Sequence, residues 1–175
     1  MTISGSFTRL TVPLDYHEAL NWFTKAADQG EPHAACRVGD IYFEGQGVAV
    51  DKAVAMGWYE RDARRGCTRS QFHLGLCAEQ QSNPIQALAW YRLAATNGFA
   101  EAQTTLAERL NDELQPAPDY LEAYLWYHIA ADAGNRVAAV SARRLKNKLT
   151  PAQLEQADKE ARKISKRINQ MSSAQ

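Results

Sequence analysis

The sequence predicts an all-α protein: a right-handed α/α superhelix of helical hairpins, closed by a C-terminal helix. All four tryptophans stand eight residues before a glycine, and successive tryptophans are 36, 32 and 36 residues apart. Alanines and aromatic residues around each tryptophan follow helical spacing. Each such segment begins with aspartate or asparagine. A repeat of this period indicates stacked units, because one unit cannot bury its apolar face alone.

The four repeated segments predict the longer helices, at residues 15–30, 51–66, 83–98 and 119–134. The first residue of each is an Asp or Asn that caps the helix by accepting from free backbone N–H groups. The final glycine can take a positive φ and end the helix. Apolar residues recur at i, i+3, i+4 and i+7, for example Ala19, Trp22, Phe23 and Ala26. We therefore expect the tryptophan rings to lie inside the stack.

Shorter partner helices are predicted at residues 32–44, 68–80, 100–112 and 135–148. Gly39 and Gly75 recur nine residues after the preceding helix-ending glycine. A glycine inside a helix costs about 1 kcal/mol relative to alanine, so its recurrence indicates close packing against a neighbouring helix. The helices are joined by a Gly45–Gly47 glycine turn, a minimal 81–82 turn and a proline turn at 114–118.

The last predicted helix begins at Thr150-Pro151-Ala152-Gln153, which has the form of a capping box with proline at the first helical position. An apolar stripe follows and charges occupy the other faces. The stripe consists of Leu154, Ala157, Ala161, Ile164 and Ile168. Such a helix can cover the open end of a stacked array and keep its outer face polar.

This pattern resembles the Sel1-like repeat family, a relative of the tetratricopeptide repeats, over about residues 11–148. The residues that carry the resemblance are Val38-Gly39, Leu74-Gly75, Tyr42, Gly45-x-Gly47-Val48, Asp51-Lys52-Ala53, Trp58-Tyr59 and Trp22-Phe23-x-x-Ala26-Ala27-x-x-Gly30. The resemblance implies one solenoid domain over 1–175, with an N-terminal segment at 1–14, repeats at 15–148 and a cap and tail at 149–175. It also implies a scaffold for partner proteins, often in bacterial assemblies, without shared catalytic residues.

Composition narrows the function classes. The formal net charge is zero, which gives no whole-molecule field toward nucleic acid. Residues 143–175 carry nine Lys or Arg against three Asp or Glu, and whether this basic helix binds anything stays open. With three cysteines, at least one cannot form a disulfide within the chain. No apolar run approaches the roughly 20 residues that a membrane-spanning helix needs, and the N-terminal residues lack the pattern of a secretory signal peptide. We therefore expect a cytoplasmic protein.

Catalytic and metal chemistry find weak support in the sequence. His33 with Cys36, and His73 with Cys77, have helical spacing, but a zinc site needs four convergent ligands. Cys67 near His73 could form a nucleophilic pair, yet no orienting acid stands out. We expect no cofactor, no metal and no enzymatic activity, and keep a cysteine- or metal-dependent enzyme as an alternative.

Partner binding is expected on the concave face, at positions of the shorter helices that are not used for packing. These positions are His33, Arg37, Asp40, Arg69, His73, Leu76, Glu101, Thr105, Glu108 and Arg144. The expected partner is a protein or peptide; a second hypothesis is an inhibitor or immunity-type protein that occludes an enzyme or toxin. The first repeat has few residues before it, so the face around Trp22 and Phe23 could also support a homodimer.

Overall fold

The computed structural model describes residues 15–112 and 118–173, and within them the chain folds into α-helices joined by short turns, as predicted. The helices are α1 (Tyr16–Gln29), α2 (Ala34–Glu44), α3 (Lys52–Ala63), α4 (Thr68–Gln80), α5 (Pro84–Thr96), α6 (Ala100–Leu110), α7 (Tyr120–Asp132), α8 (Arg136–Lys146) and α9 (Pro151–Ser172). Each helix from α1 to α7 packs on the next, and α9 packs on α7. The expected segment 1–14 and most of the expected proline turn lie outside the described residues.

The helix ends follow the sequence signals. Asp15, Asp51, Asn83 and Asp119 each cap a longer helix by accepting a hydrogen bond from a backbone N–H of the first turn. The glycine after each of these helices has φ between 88° and 96°. Thr150 and Gln153 form the predicted capping box of α9. These local interactions fix where the helices begin and end before any packing is considered.

One shorter helix begins later than expected. Its start was predicted at residue 32, but α2 begins at Ala34 because His33 takes a left-handed conformation with φ 63°. The equivalent residues Cys67, Phe99 and Asn135, which precede α4, α6 and α8, are extended N-caps that directly follow the helix-ending glycine. The first of these junctions is therefore built differently from the other three.

Gly39 and Gly75 allow the shorter and longer helices to approach closely, as predicted. A Cβ atom at Gly39 would lie 2.5 Å from Cε1 of Tyr59, and one at Gly75 would overlap the Tyr91 ring. Both tyrosine rings are fully buried. Each ring therefore occupies the space that the missing side chain leaves, which explains why glycine recurs there despite its poor helix propensity.

The expectation that all the tryptophans lie inside the stack is confirmed for Trp126 and wrong for Trp22, while Trp58 and Trp90 are intermediate. Trp126 is buried, Trp58 and Trp90 are half-buried, and Trp22 is 64% exposed. The next residue takes the core position instead, since Tyr59, Tyr91 and Tyr127 are all buried. Adjacent helical residues point about 100° apart, so in α3 and α5 the tyrosine faces the partner helix and the tryptophan is turned partly outward, whereas in α7 both rings are buried.

Polar contacts join successive repeats at their surface. Arg92 of α5 donates two hydrogen bonds of 2.7 Å to Glu122 of α7. Arg61 of α3 donates to Asp28 and to the Ala27 carbonyl of α1. These bonds link residues about one repeat apart in sequence, and they tie α1 to α3 and α5 to α7.

The terminal helix covers the end of the array. Ala157 and Ala161 of α9 are buried, and Leu154 and Ile164 pack against the core beneath them. Tyr124 of α7 donates a 3.0 Å hydrogen bond to Asp158. Among the helices of residues 15–112 and 118–173, none combines the length and the apolar character that crossing a bilayer requires.

Candidate functional site

A buried carboxylate organises the junction of α2, α3 and α4. Asp40 of α2 is only 6% exposed. The Tyr59 hydroxyl donates to its Oδ1 at 3.0 Å, and Nη2 of Arg69 donates to its Oδ2 at 3.0 Å. Nη1 of Arg37 lies 3.5 Å from the same Oδ2. A carboxylate with this many donors is well satisfied despite its burial, and it holds two guanidinium groups beside each other.

His73 of α4 completes this cluster. Its ring stacks on Tyr59 with centroids 4.8 Å apart and planes 9° apart. Its Nε2 lies 3.5 Å from Oδ1 of Asp40. Burial lowers the pKa of His73 below its ordinary value, although the Asp40 carboxylate opposes the change. The imidazole is therefore neutral at pH 7 and acts as part of the packing around Tyr59.

A groove of about 480 Å³ opens directly above this cluster. One wall is an apolar strip of α1, and the other carries the charged side chains. The lining residues are Tyr16, Ala19, Phe23, Arg37, Asp40, Ile41, Glu44, Gln46 and Arg69. We call it the α1–α2–α4 groove. Its volume falls within the range of about 300–1,000 Å³ that is common for ligand sites.

The two arginines present their charge to this groove. The side chains of Arg37 and Arg69 are 52% and 48% exposed, whereas that of Asp40 is 8% exposed. The Arg37 guanidinium also lies 5.9 Å from the ring centroid of Phe23. Each guanidinium has five N–H donors, so both keep donors free after bonding to Asp40. The groove therefore combines fixed, half-exposed hydrogen-bond donors with an apolar wall.

The structure brings together four of the ten residues predicted to bind a partner, namely Arg37, Asp40, Arg69 and His73. Asp40 is buried with its carboxylate engaged, so it can position the arginines but not reach a partner. Leu76 is partly buried and packs against the core. Glu101, Thr105 and Glu108 lie on α6, where Glu101 is near enough to His73 to act on its pKa, while Arg144 lies on α8 and His33 at a separate cavity.

The groove wall formed by Tyr16, Ala19 and Ile41 was not predicted. Tyr16 and Ala19 belong to α1, the first longer helix, and Ile41 lies next to Asp40. Their identity as apolar residues at helical spacing was visible in the sequence. Their convergence on Arg37 and Arg69 was not, because it depends on how α1 packs on α2.

The cysteine–histidine pairs considered in the sequence are rearranged. The Nδ1 atom of His33 lies 3.2 Å from Sγ of Cys67, rather than against Cys36. A hydrogen bond with the Cys36 thiol is the main interaction that lowers the pKa of Cys67 below its ordinary value, whereas burial acts in the opposite direction. Cys77 packs in the core with Leu74. Within residues 15–112 and 118–173, two sets of side chains could hold a metal ion: His33 with Asp62 and Cys67, and Cys36 with Asp40 and His73.

Comparison with known proteins identifies the repeat. The sequence profile of the Sel1 repeat matches four consecutive segments, residues 6–31, 32–67, 68–99 and 100–135. The crystal structure of a Sel1 repeat protein from Oxalobacter formigenes is similar, with a TM-score of 0.66 and 30% identity, covering 73% of this chain and 54% of that one.

Two curated proteins share the repeat region. Chitin synthase regulatory factor 4 of Schizosaccharomyces pombe is 32% identical over 114 residues, which are 65% of this chain and 18% of that protein. An F-box protein of Arabidopsis thaliana is 34% identical over 92 residues, which are 51% of this chain and 25% of that protein. The chain thus spans a quarter or less of the length of these relatives, and the similarity concerns the repeats alone.

Proposed function

This chain belongs to the Sel1 repeat family, and we propose that it is a non-catalytic scaffold that binds a peptide segment of a partner protein in the α1–α2–α4 groove. Proteins of this family are typically interaction scaffolds, and the repeats are the part shared with the curated relatives. The observation that carries the proposal is the pair of half-exposed arginines, Arg37 and Arg69, held on one buried aspartate beside an apolar wall.

The rigidity of the arginines supports a binding role. Surface arginines ordinarily lose side-chain entropy when they bind, which weakens an interface. Here Asp40 accepts a hydrogen bond from Arg69 and forms an ion pair with Arg37, while Tyr59 and His73 hold Asp40 in place. Much of the ordering has therefore occurred in the free protein, and arginine is enriched among residues that dominate binding energy.

The chemistry of the groove indicates the class of ligand. Guanidinium groups pair best with carboxylates, to which they can donate two parallel hydrogen bonds. The wall of Tyr16, Ala19 and Phe23 suits an apolar side chain. Glu44, which also lines the groove, disfavours a ligand with a high negative charge. We therefore propose a short segment that places one acidic group next to a large apolar residue.

A peptide-display selection tests this proposal. The purified chain is used to select from a library of random linear peptides, and the dissociation constants of enriched peptides are measured by fluorescence anisotropy. We expect an acidic residue adjacent to an aromatic or aliphatic one. The Arg37→Glu/Arg69→Glu variant should bind the selected peptides at least tenfold more weakly. The matched control is Arg136→Glu, at an exposed position of α8.

Two outcomes would contradict the proposal. One is a selection that enriches no motif with an acidic group. The other is a motif whose affinity falls equally in the control variant, which would indicate a general charge effect.

The cytoplasmic location, the bacterial origin and the homodimer through the α1 end stay predictions.

A further inference from the structure

A second cavity lies between two turns of the chain, the turn from α1 to α2 and the turn from α3 to α4. It has a volume of about 410 Å³ and is lined by Gly30, Pro32, His33, Asp62, Arg65, Gly66 and Cys67. Three of these residues each offer an imidazole nitrogen, a carboxylate oxygen or a thiol sulfur, and those three atoms all lie within 4.8 Å of one another. One pair of these atoms, Nδ1 of His33 and Sγ of Cys67, is separated by 3.2 Å.

We propose that His33, Asp62 and Cys67 form a binding site for one divalent transition-metal ion of the zinc class. Zinc binds His nitrogen, carboxylate oxygen and Cys sulfur at about 2.0–2.3 Å, so two ligands in a tetrahedral site stand about 3.5 Å apart. The His33–Cys67 separation is already close to that distance. Small movements of the three side chains would suffice to enclose an ion.

The type of ligand argues for this class of metal. Calcium and magnesium prefer sites made wholly of oxygen atoms. A set with one sulfur and one nitrogen atom is instead typical of zinc and other borderline or soft ions. Three protein ligands with one side open to a cavity leave a fourth position for water or another ligand.

The surroundings of the three residues also fit a metal site. The Ser70 hydroxyl donates a 2.9 Å hydrogen bond to Oδ2 of Asp62, which orients the carboxylate and leaves its second oxygen available. His33 holds a left-handed backbone conformation that is costly for a residue with a side chain, and this conformation occurs where its imidazole meets Cys67. His33 is itself exposed, which gives an ion access from solvent.

The geometry favours a metal over a cysteine nucleophile. In a Cys–His–Asp catalytic arrangement the imidazole stands between the thiol and the carboxylate and bonds to each through a different nitrogen. Here one ligand atom from each of the three residues lies within 4.8 Å of the other two, so the thiol, carboxylate and imidazole are mutual neighbours rather than a chain with the imidazole in the middle. The other set, Cys36 with Asp40 and His73, is less suited, because Asp40 is already bonded to Tyr59 and Arg69.

Metal binding at this point would link three parts of the array. His33 precedes α2, Asp62 lies in the last turn of α3, and Cys67 precedes α4. A bound ion would therefore restrain two successive turns between repeats against each other. Since the unfolded chain lacks this site, binding should stabilise the folded state.

The test is a titration of the reduced, metal-free chain of residues 1–175 with Co²⁺, followed by Zn²⁺. We expect the near-ultraviolet absorption band of a cobalt–thiolate bond, saturation at one ion per chain, loss of the band on adding Zn²⁺, and a higher melting temperature with Zn²⁺. Cys67→Ser should abolish the band, and His33→Ala should weaken Co²⁺ binding at least tenfold. Because His33 is exposed, its variant provides a test even if a change at buried Cys67 impairs folding, which circular dichroism monitors.

Cys77→Ala is the matched control, because it removes a buried thiol outside the set. It should bind both metals as the unaltered chain does. The proposal is overturned if the unaltered chain shows no thiolate band, if Cys67→Ser retains it, or if Cys77→Ala loses it to the same extent. The result is independent of peptide binding, since the cavity and the α1–α2–α4 groove share no lining residue.

Discussion

Replacing Gly39 with alanine should destabilise the protein, although alanine is the better helix former. The new Cβ atom would lie 2.5 Å from Cε1 and 2.7 Å from Cδ1 of Tyr59, well inside van der Waals contact. The ring cannot move aside easily, because it is fully buried, bonded to Asp40 through its hydroxyl and stacked on His73. The steric cost therefore has to be met by displacing α2 from α3.

The magnitude follows from two opposing terms. Overpacking a well-packed interior costs about 1–3 kcal/mol. The change from glycine to alanine within a helix returns up to about 1 kcal/mol. Because the contact is short and the ring is held on both sides, we expect the steric term to dominate, with a net loss of about 1–2 kcal/mol. In a chain of this size that corresponds to a melting temperature lower by several degrees.

Gly57 supplies the matched control for this prediction. It lies within α3, at an exposed position, and a Cβ atom built there would meet nothing within 4 Å. Gly57→Ala should therefore raise the free energy of unfolding by about 0.5–1 kcal/mol, through helix propensity alone. The two substitutions are chemically identical and are expected to have opposite signs.

The assay is urea-induced unfolding of both variants and the unaltered chain, followed by far-ultraviolet circular dichroism. The reasoning is refuted if Gly39→Ala stabilises the protein as much as Gly57→Ala does. That result would mean that the Tyr59 ring has room to move. In that case the glycine would need another explanation, and Asp40 would be a less rigid support for the arginines of the groove.

Three further predictions concern the rest of the array. Burial acts to raise the pKa of Glu122, but hydrogen-bond donors, of which Arg92 is the strongest, outweigh burial and hold the pKa below its ordinary value of 4.5. The free energy of unfolding should therefore fall as the pH drops from about 4.5 toward the pKa of Glu122 in the folded state. The Glu122→Gln variant should show a flatter dependence of unfolding free energy on pH in that range. Thr150→Ala should cost about 1 kcal/mol in thermal or urea unfolding, because it removes the N-cap of α9. Trp126→Ala should cost about 3–5 kcal/mol in the same assay and Trp22→Ala less than about 0.5 kcal/mol, since one ring is 2% and the other 64% exposed.

Each of these predictions has a control or a contrary outcome. Arg92→Gln should flatten the dependence of unfolding free energy on acidic pH as Glu122→Gln does. An unchanged slope in both variants would show that this ion pair does not cause the loss of stability at low pH. Gln156→Ala, at an exposed site of α9, should leave stability nearly unchanged and so isolate the capping effect of Thr150. Equal losses for Trp22→Ala and Trp126→Ala would restore the original expectation that all the tryptophans pack inside.

Signals that act over a few residues allowed the helices and their ends to be predicted. Asp15, Asp51 and Thr150 cap their helices because a short polar side chain can reach backbone N–H groups in the next turn, whatever surrounds the helix. Gly39 was identified as a packing position because a glycine within a helix is unfavourable and yet recurs at Gly75. In each case the decisive signal lies within a few residues or recurs in a second unit, as Gly75 does for Gly39, so it was visible in the sequence.

The α1–α2–α4 groove and the proposed metal site could be predicted only in part from the sequence. Arg37, Asp40 and Arg69 were identified as candidates, but the burial of Asp40 and the apolar wall of α1 depend on how successive helices pack. His33 and Cys67 are 34 residues apart and meet only because two interhelical turns lie side by side.

Helix caps, glycines and apolar spacing act along one chain segment, so the helical repeat and its terminal cap could be predicted from the residues alone. Packing between helices was needed to show that Tyr59 enters the core more deeply than Trp58, and that His33 contacts Cys67 rather than Cys36. For the two rings the cause is rotation about the helix axis, because neighbouring helical residues differ by about 100° in direction. A periodic pattern defines an apolar face about that wide, and only contact with the neighbouring helix selects the residue at its centre.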